Sequence, residues 1–308
     1  MDKGVLRAIV YYDCLDYPLT REELEVFSFK NDEGQEIGLP AQAGNLIEEA
    51  DGFYFLKGRE NLIGARKERN EISKNKWKEA LKAVRWLKLI PYIKLIFASG
   101  SLALNNTAKE SDLDILIVVK AGRIWLARFS TVLLLGFLGM RRKRHQRIAP
   151  DKICLNHFIT DKSLYIPRKS IYTAQLYARL VPVFGEENLV DKFYQANLWI
   201  KEYIPKFSIK SQLSIFNPQN FIKKIGEKIF DTKFGGWLES ILRSYQLRRI
   251  KNYHLTYKPG GRIKADDESL EFHPDSPELK IIEKYNQTMI RLGFPELAKE
   301  ADSGLTKY

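Results

Sequence analysis

Residues 95–119 read LIFASGSLALNNTAKESDLDILIVV, and the predicted fold is organised around this stretch. A short apolar segment ends at Gly100-Ser101, and Asp112 and Asp114 then open a second apolar run. Residues two apart in a strand point to the same face, so the two carboxylates project together while the leucine between them faces a core. The stretch therefore predicts two strands, with an acidic pair at the start of the second.

An acidic pair on one strand face calls for a counter-charge. Two neighbouring carboxylates repel each other and cost stability when bare. A divalent cation removes that cost, and carboxylate oxygens suit Mg²⁺. Gly100 lets a phosphate approach the backbone, and Ser101 offers an N–H and a hydroxyl as donors. Asp112 and Asp114 are thus candidate metal ligands beside a candidate phosphate-binding turn.

Gly-Ser, a spacer of ten residues and Asp-x-Asp inside an apolar strand resemble the signature of the nucleotidyltransferase superfamily, which includes DNA polymerase beta. Ala103 and Ser111 also match residues common in its minimal nucleotidyltransferases, whereas Asn105 stands where that group usually has Gly. Asn is the next-best residue at positive φ, so this departure is mild. The resemblance is specific over 95–119 and fades outside it.

The resemblance implies an α+β fold, with a central mixed β-sheet flanked by helices. It also implies Mg²⁺-dependent transfer of a nucleoside monophosphate from a nucleoside triphosphate to a hydroxyl acceptor. Asp112 and Asp114 would bind two Mg²⁺ ions as catalytic ligands, and Gly100 and Ser101 would hold phosphates. The acceptor, whether a small molecule, an RNA end or a protein side chain, stays open.

The superfamily places a third catalytic carboxylate on a further strand, which here matches KICLNHFIT at 152–160. The corresponding residue is Asn156, which can ligate a metal through its carbonyl but cannot accept a proton. Asp151 and Asp161, at the strand ends, are candidate substitutes. Strand alternation places His157 on the face opposite Asn156.

Composition favours a protein of two or three domains in a reducing, cytoplasmic compartment. The 308 residues are 44% hydrophobic, with two distant cysteines, and the N-terminus lacks the layout of a signal peptide. The twelve-residue apolar run 129–140 is too short for a membrane span and predicts a buried helix. Because RRKRHQR follows it at 141–147, membrane contact through 129–147 is kept as a less favoured alternative.

Charge divides the chain. Residues 1–56 carry a balance of −8, and residues 57–308 a balance of +20. The basic part could attract nucleotides or dock the acidic part.

Short helices at 3–15, 20–27 and 40–49 with a hairpin at 51–58 resemble a winged-helix domain. Residues 37–52 hold three acids and no Lys or Arg, so DNA binding by residues 1–58 is disfavoured.

The predicted organisation has four parts. Residues 1–58 form the winged-helix-like domain, 59–94 a basic connecting helix, 95–170 the nucleotidyltransferase core and 171–308 a helical C-terminal region. Within the core, a nearly all-apolar helix at about 121–139 is expected to be buried against the sheet. The C-terminal region is expected to hold helices at 171–182, 186–204, 219–231, 235–253 and 276–292, with a loop or hairpin at 256–275.

Two functions compete with the nucleotidyltransferase. The first is a catalytically impaired descendant that binds a nucleotide or a protein, which Asn156 and the acidic N-terminal part would explain. The second is a winged-helix DNA-binding regulator, against which the missing basic residues count.

Overall fold

The computed structural model describes residues 3–30, 46–143, 146, 148–208, 221–257, 261–274 and 276–295. Its N-terminal part comprises α1 (Lys3–Asp13), β1 (Leu19–Thr20), α2 (Arg21–Phe27), β2 (Ile47–Ala50) and β3 (Phe53–Leu56). The strands form an antiparallel sheet in the order β1-β3-β2. Thr20 and Glu23 form a capping box at the start of α2, each side chain accepting from the other's backbone N–H.

A long helix, α3 (Asn61–Leu87), leads into the central sheet. Its strands are β4 (Ile93–Ala98), β5 (Leu113–Val119), β6 (Ile153–Thr160), β7 (Val181–Gly185), β8 (Arg262–Ala265) and β9 (Ser269–His273). They lie in the order β7-β4-β5-β6-β9-β8. β5 and β6 run parallel and the other neighbours antiparallel, so the sheet is mixed, as expected.

Helices cover both faces of this sheet. Besides α1 and α3, the helices of the described residues are α4 (Gly100–Ala103), α5 (Ile124–Phe137), α6 (Ile171–Ala178), α7 (Glu187–Ala196), α8 (Ile200–Tyr203), α9 (Phe221–Phe230), α10 (Lys233–Lys251) and α11 (Glu278–Arg291), with α2 in the N-terminal part and a 3₁₀ turn at His254–Tyr257. None of the helices in the described residues is long and apolar enough to span a membrane.

Alternate residues of β5 enter two separate cores. Leu113 and Ile115 are buried on the face that α3, α5 and α10 cover. Leu116 and Val118 are buried on the other face, with residues of α1, α6, α7 and α11. Because Asp114 lies two residues before Leu116, its side chain shares the second face. The carboxylate pair therefore lies on the α6 side of the sheet.

Two parts of the sequence prediction need correction. Residues 47–49, expected at the end of a helix at 40–49, lie in the strand β2, and 40–45 lie outside the described residues. Residues 181–185, expected as a helix end and a turn, form a strand paired with β4. In both cases pairing with a neighbouring strand outweighs local helix propensity. The hairpin, one of the two alternatives for 256–275, is present as β8 and β9, and β9 joins it to the central sheet by pairing with β6.

The apolar helix α5 is only partly buried. Trp125 and Leu135 pack into the core, but Leu133 is exposed and Phe137 is 88% exposed. The prediction of burial therefore holds for one side of the helix only. Part of the basic segment 141–147 lies outside the described residues.

Candidate functional site

The carboxylate pair lines a cavity of about 250 Å³ at the start of β5. Asp112 immediately precedes the strand and Asp114 is its second residue. Both side chains lie on one wall of this cavity, while Leu113 between them is buried on the opposite face of the sheet. The alternation read from the sequence thus describes the local geometry of these residues.

Gly100 packs directly against the carboxylate of Asp114. It has φ +61°, and a Cβ at this position would lie 2.9 Å from Asp114 Oδ2. Both the backbone conformation and the space therefore require glycine here. Ser99 and Gly100 line the cavity. Ser101, the second residue of α4, does not line it.

A register shift in β6 brings consecutive side chains to the same cavity. Asp114 pairs with Cys154 and Leu116 pairs with His157, so β6 holds one residue more than β5 over this span. Such a bulge resets the alternation of faces. Cys154, Asn156 and His157 all line the cavity. The prediction that His157 lies opposite Asn156 is therefore wrong.

Asn156 lies next to the carboxylate pair. Its Nδ2 donates a hydrogen bond of 2.8 Å to Asp114 Oδ1. The two residues proposed as substitutes lie elsewhere: Asp151 pairs with Lys76 at 2.9 Å, and Asp161 pairs with Lys94 and accepts from the N–H of Ala121. Neither substitute lines the cavity, so of these three candidates only Asn156 lies beside the carboxylate pair.

The two carboxylates differ in their electrostatic surroundings: Asp114 is next to another carboxylate, whereas Asp112 also forms an ion pair with Arg142. Burial, reinforced by the charge of Asp112, raises the pKa of Asp114 to about 6. Arg142 Nη1 lies 2.6 Å from Asp112 Oδ2 and 3.8 Å from Cys154 Sγ. Burial also raises the pKa of the Cys154 thiol, and both carboxylates add to that effect. A guanidinium thus partly neutralises an otherwise anionic cluster.

This cluster suits a divalent cation. Ligand atoms of Asp112, Asp114 and Cys154 all lie within 4.8 Å of one another. Carboxylate oxygens are ligands that Mg²⁺ and Mn²⁺ accept, and a thiol adds a softer donor. Burial and the charge of Asp112 raise the pKa of Asp114, and a bound cation would favour its ionised form. The donor set and the charge therefore both fit a cation at this position.

Another part of the cavity wall comes from α6, β8, β9 and the residues after β9. Arg262 Nε lies 2.8 Å from Glu271 Oε2, and His157 Nε2 lies 3.3 Å from Glu271 Oε1. Burial and the charge of Arg262 lower the pKa of His273 to about 3, so this imidazole is neutral at pH 7. Tyr172 and other apolar or aromatic side chains complete this wall: Leu176, Tyr177, Phe272, Pro274 and Pro277.

Residues 77–223 match the family model described as Nucleotidyltransferase domain. This chain carries a nucleotidyltransferase domain. No curated protein and no solved structure matches the chain. The nucleotidyltransferase match begins inside α3 and ends inside α9, so it contains both cavity carboxylates and the Gly100 turn. It stops before β8 and β9, which supply Arg262 and His273 to the cavity.

Sequence reasoning missed several residues around the nucleotidyltransferase cavity. Cys154 had a usable signal, because it lies two residues before Asn156 on the same predicted strand. Arg142 belonged to a basic cluster that was considered only as a membrane contact. Tyr172, Arg262 and His273 carried no signal, since their approach to β5 depends on strand and helix packing over long sequence distances.

Proposed function

We propose that the protein is a Mg²⁺-dependent nucleotidyltransferase that transfers a nucleoside monophosphate from a nucleoside triphosphate to a hydroxyl acceptor. One observation carries the proposal: Gly100 packs against Asp114 on the cavity wall that Asp112 shares. The family match at 77–223 supports this reading, because it covers all of these residues.

Asp112 and Asp114 are the residues that would hold Mg²⁺, with Cys154 beside them. A bound ion would supply charge stabilisation at the transferring phosphate and its leaving group. Gly100 leaves the backbone open to a close phosphate approach. Arg142, released from Asp112, would offer donors suited to phosphate oxygens.

Asn156 has a positioning role in this proposal. Its amide N–H holds Asp114 Oδ1 at 2.8 Å and so fixes the rotamer of that carboxylate. An amide cannot take a proton from an acceptor hydroxyl. Proton transfer to solvent, or to a group on the acceptor substrate, is therefore part of the proposal.

A second candidate function is nucleotide binding without transfer. Two observations favour it: the side chain that hydrogen-bonds Asp114 is the amide of Asn156, and Arg142 already compensates Asp112. The two candidates share the metal site and differ in chemistry. Both therefore predict Mg²⁺-dependent nucleotide binding, and only the first predicts release of pyrophosphate.

The test compares the wild type with Asp112→Asn/Asp114→Asn by isothermal titration with each nucleoside triphosphate and Mg²⁺. We expect the double variant to stay folded and to lose Mg²⁺-dependent binding at least about tenfold, because two anionic ligands are removed. Without metal its melting temperature should be equal or higher, since a like-charge repulsion is gone.

The matched control is Glu187→Gln/Asp191→Asn, which removes two exposed carboxylates on α7, away from the cavity. It should bind like the wild type. Equal Mg²⁺–nucleotide affinity in the Asp112/Asp114 variant and this control would reject the metal site. Transfer of label from an α-labelled nucleotide to acceptor pools then separates the two candidates, because binding without pyrophosphate release favours the second.

A further inference from the structure

The helices α9 and α10 turn their acidic residues toward the rest of the protein. Glu227 accepts a hydrogen bond from the N–H of Tyr92, and Asp231 pairs with Lys120. Glu239 accepts from two backbone N–H groups at the start of α5. Residues 221–251, the helical hairpin of α9 and α10, contain only these three acids. All acidic side chains of the hairpin therefore form hydrogen bonds or ion pairs with the rest of the protein.

The outward side of the same helices is apolar. Along α10, Phe234, Trp237, Ile241 and Tyr245 recur at spacings of three, four and four residues, which places them on one helix face. These residues, with Ile225 and Ile229 of α9, are each between 44% and 58% exposed. An exposed cluster of large apolar side chains on adjacent helices marks an interaction surface. We name this set of six residues the outer hairpin face.

Basic residues surround the outer hairpin face. Residues 221–251 hold eight Lys and Arg against their three acids. The side chains of Lys228, Lys233, Arg248 and Lys251 make no hydrogen bond or ion pair with any part of the chain that the structure describes. On α10, Lys233 and Arg248 project within about a quarter turn of the apolar stripe, as 100° per residue requires. Apolar side chains are thus edged by uncompensated positive charge.

We propose that the outer hairpin face binds the surface of an anionic lipid bilayer, with α9 and α10 lying in the interface. An interfacial helix combines Trp, Phe and aliphatic side chains with Lys and Arg, and anionic lipids complement the basic edge. Single-stranded nucleic acid fits less well, because three of the six side chains are isoleucines without a ring for base stacking. A second copy would juxtapose two basic edges. This proposal uses none of the cavity residues and is independent of the nucleotidyltransferase proposal.

The test is flotation of the full-length protein with vesicles of phosphatidylcholine plus phosphatidylglycerol, and with phosphatidylcholine alone. We expect binding to the anionic vesicles only, weakening as salt rises. Trp237→Glu should weaken binding by about tenfold or more, because it removes an aromatic side chain that the bilayer would bury and adds a charge that anionic lipids repel. Gln287→Glu adds the same charge at an exposed site of α11, which packs on the other face of the central sheet, and should change binding much less.

Several results would overturn the proposal. They are failure to float with anionic vesicles, equal binding to neutral vesicles, or equal losses in Trp237→Glu and Gln287→Glu. Phe137→Glu on α5 tests the other apolar surface: a loss in this variant alone would place the membrane contact at 129–147 instead. Nucleic-acid binding or self-association that Trp237→Glu abolishes, in the absence of vesicle binding, would assign the face to those partners.

Discussion

At the scale of single residues, the side chain of Asn156 decides how the carboxylate pair behaves. An amide beside Asp114 contributes a hydrogen bond of 2.8 Å and no charge. A carboxylate there would add a third negative group to a cluster in which burial and Asp112 already raise the pKa of Asp114 to about 6. The amide therefore stabilises the metal-free protein and limits the charge that a bound cation would meet.

We predict that Asn156→Asp destabilises the metal-free protein but does not destabilise the protein in the presence of Mg²⁺ and nucleotide. In chelator, the lost hydrogen bond and the new repulsion should destabilise the fold by roughly 1–3 kcal/mol. With Mg²⁺ and nucleotide, the melting temperature should equal or exceed that of the wild type, because a third carboxylate strengthens cation binding. Thermal melts in both conditions measure the effect, with the exposed Asn70→Asp on α3 as control. Destabilisation of the same size in both conditions would contradict this role of position 156.

At the scale of elements, the segment between α5 and β6 places the positively charged side chain of Arg142 next to the carboxylate pair. The N–H of Arg142 donates to Ile153 O at 3.0 Å, and the N–H of Ile153 donates to Met140 O at 2.8 Å. The backbone of the segment is thus tied to the start of β6. The guanidinium of Arg142 lies 2.6 Å from Asp112 Oδ2, beside the atoms that would bind a metal ion.

We predict that Arg142→Gln increases the affinity of the metal-free protein for Mg²⁺. Mg²⁺ must compete with the guanidinium for Asp112. A partly exposed ion pair is worth up to about 1 kcal/mol, which corresponds to a gain of roughly fivefold. Isothermal titration with Mg²⁺ or Mn²⁺ alone measures it. Lys143→Gln removes the same charge one residue further on, at an exposed position. A similar gain in both variants would indicate a general charge effect, and a loss in Arg142→Gln would show that the guanidinium assists metal binding.

What the sequence could predict at this scale depended on local patterns. The alternation around Leu113 placed Asp112 and Asp114 on one face, and the helix expected at 20–27 is present as α2. The strand β7 is five residues long and pairs with β4, which lies far away in sequence, so no local pattern revealed it. The turn-rich composition of 256–275 allowed the hairpin of β8 and β9, but no local pattern indicated that β9 pairs with β6. One extra residue in β6 was enough to turn His157 to the cavity.

At the scale of the whole molecule, the acidic N-terminal part is docked on the basic remainder. Glu23 contacts Arg66 at 2.7 Å and Arg179 at 3.0 Å, and these guanidinium groups also lie over aromatic rings. Tyr12 donates to Gln175 Oε1 at 2.6 Å. α1 shares a buried cluster with the central sheet. Of the two roles considered for the positive balance of residues 57–308, docking of the N-terminal part has direct contacts to support it.

The final prediction concerns the pH dependence of this docking. Burial opposes ionisation of Glu23, but Arg179 and Arg66 lower its pKa from the ordinary 4.5 to about 2. Because the folded-state pKa is the lower one, the unfolded chain binds more protons in this range, and the stabilisation is present above pH 4.5 and lost as the pH falls toward 2.

Glu23→Gln keeps the capping box, since Gln also serves at that position. It should lower the free energy of unfolding by roughly 3 kcal/mol near pH 7. The difference from the wild type should shrink between pH 4.5 and 2. Denaturant titrations across this range measure it, with Glu25→Gln, whose pair with Arg21 is exposed, as the control. A difference that stays constant with pH, or that the control reproduces, would mean that the docking contact is not electrostatic.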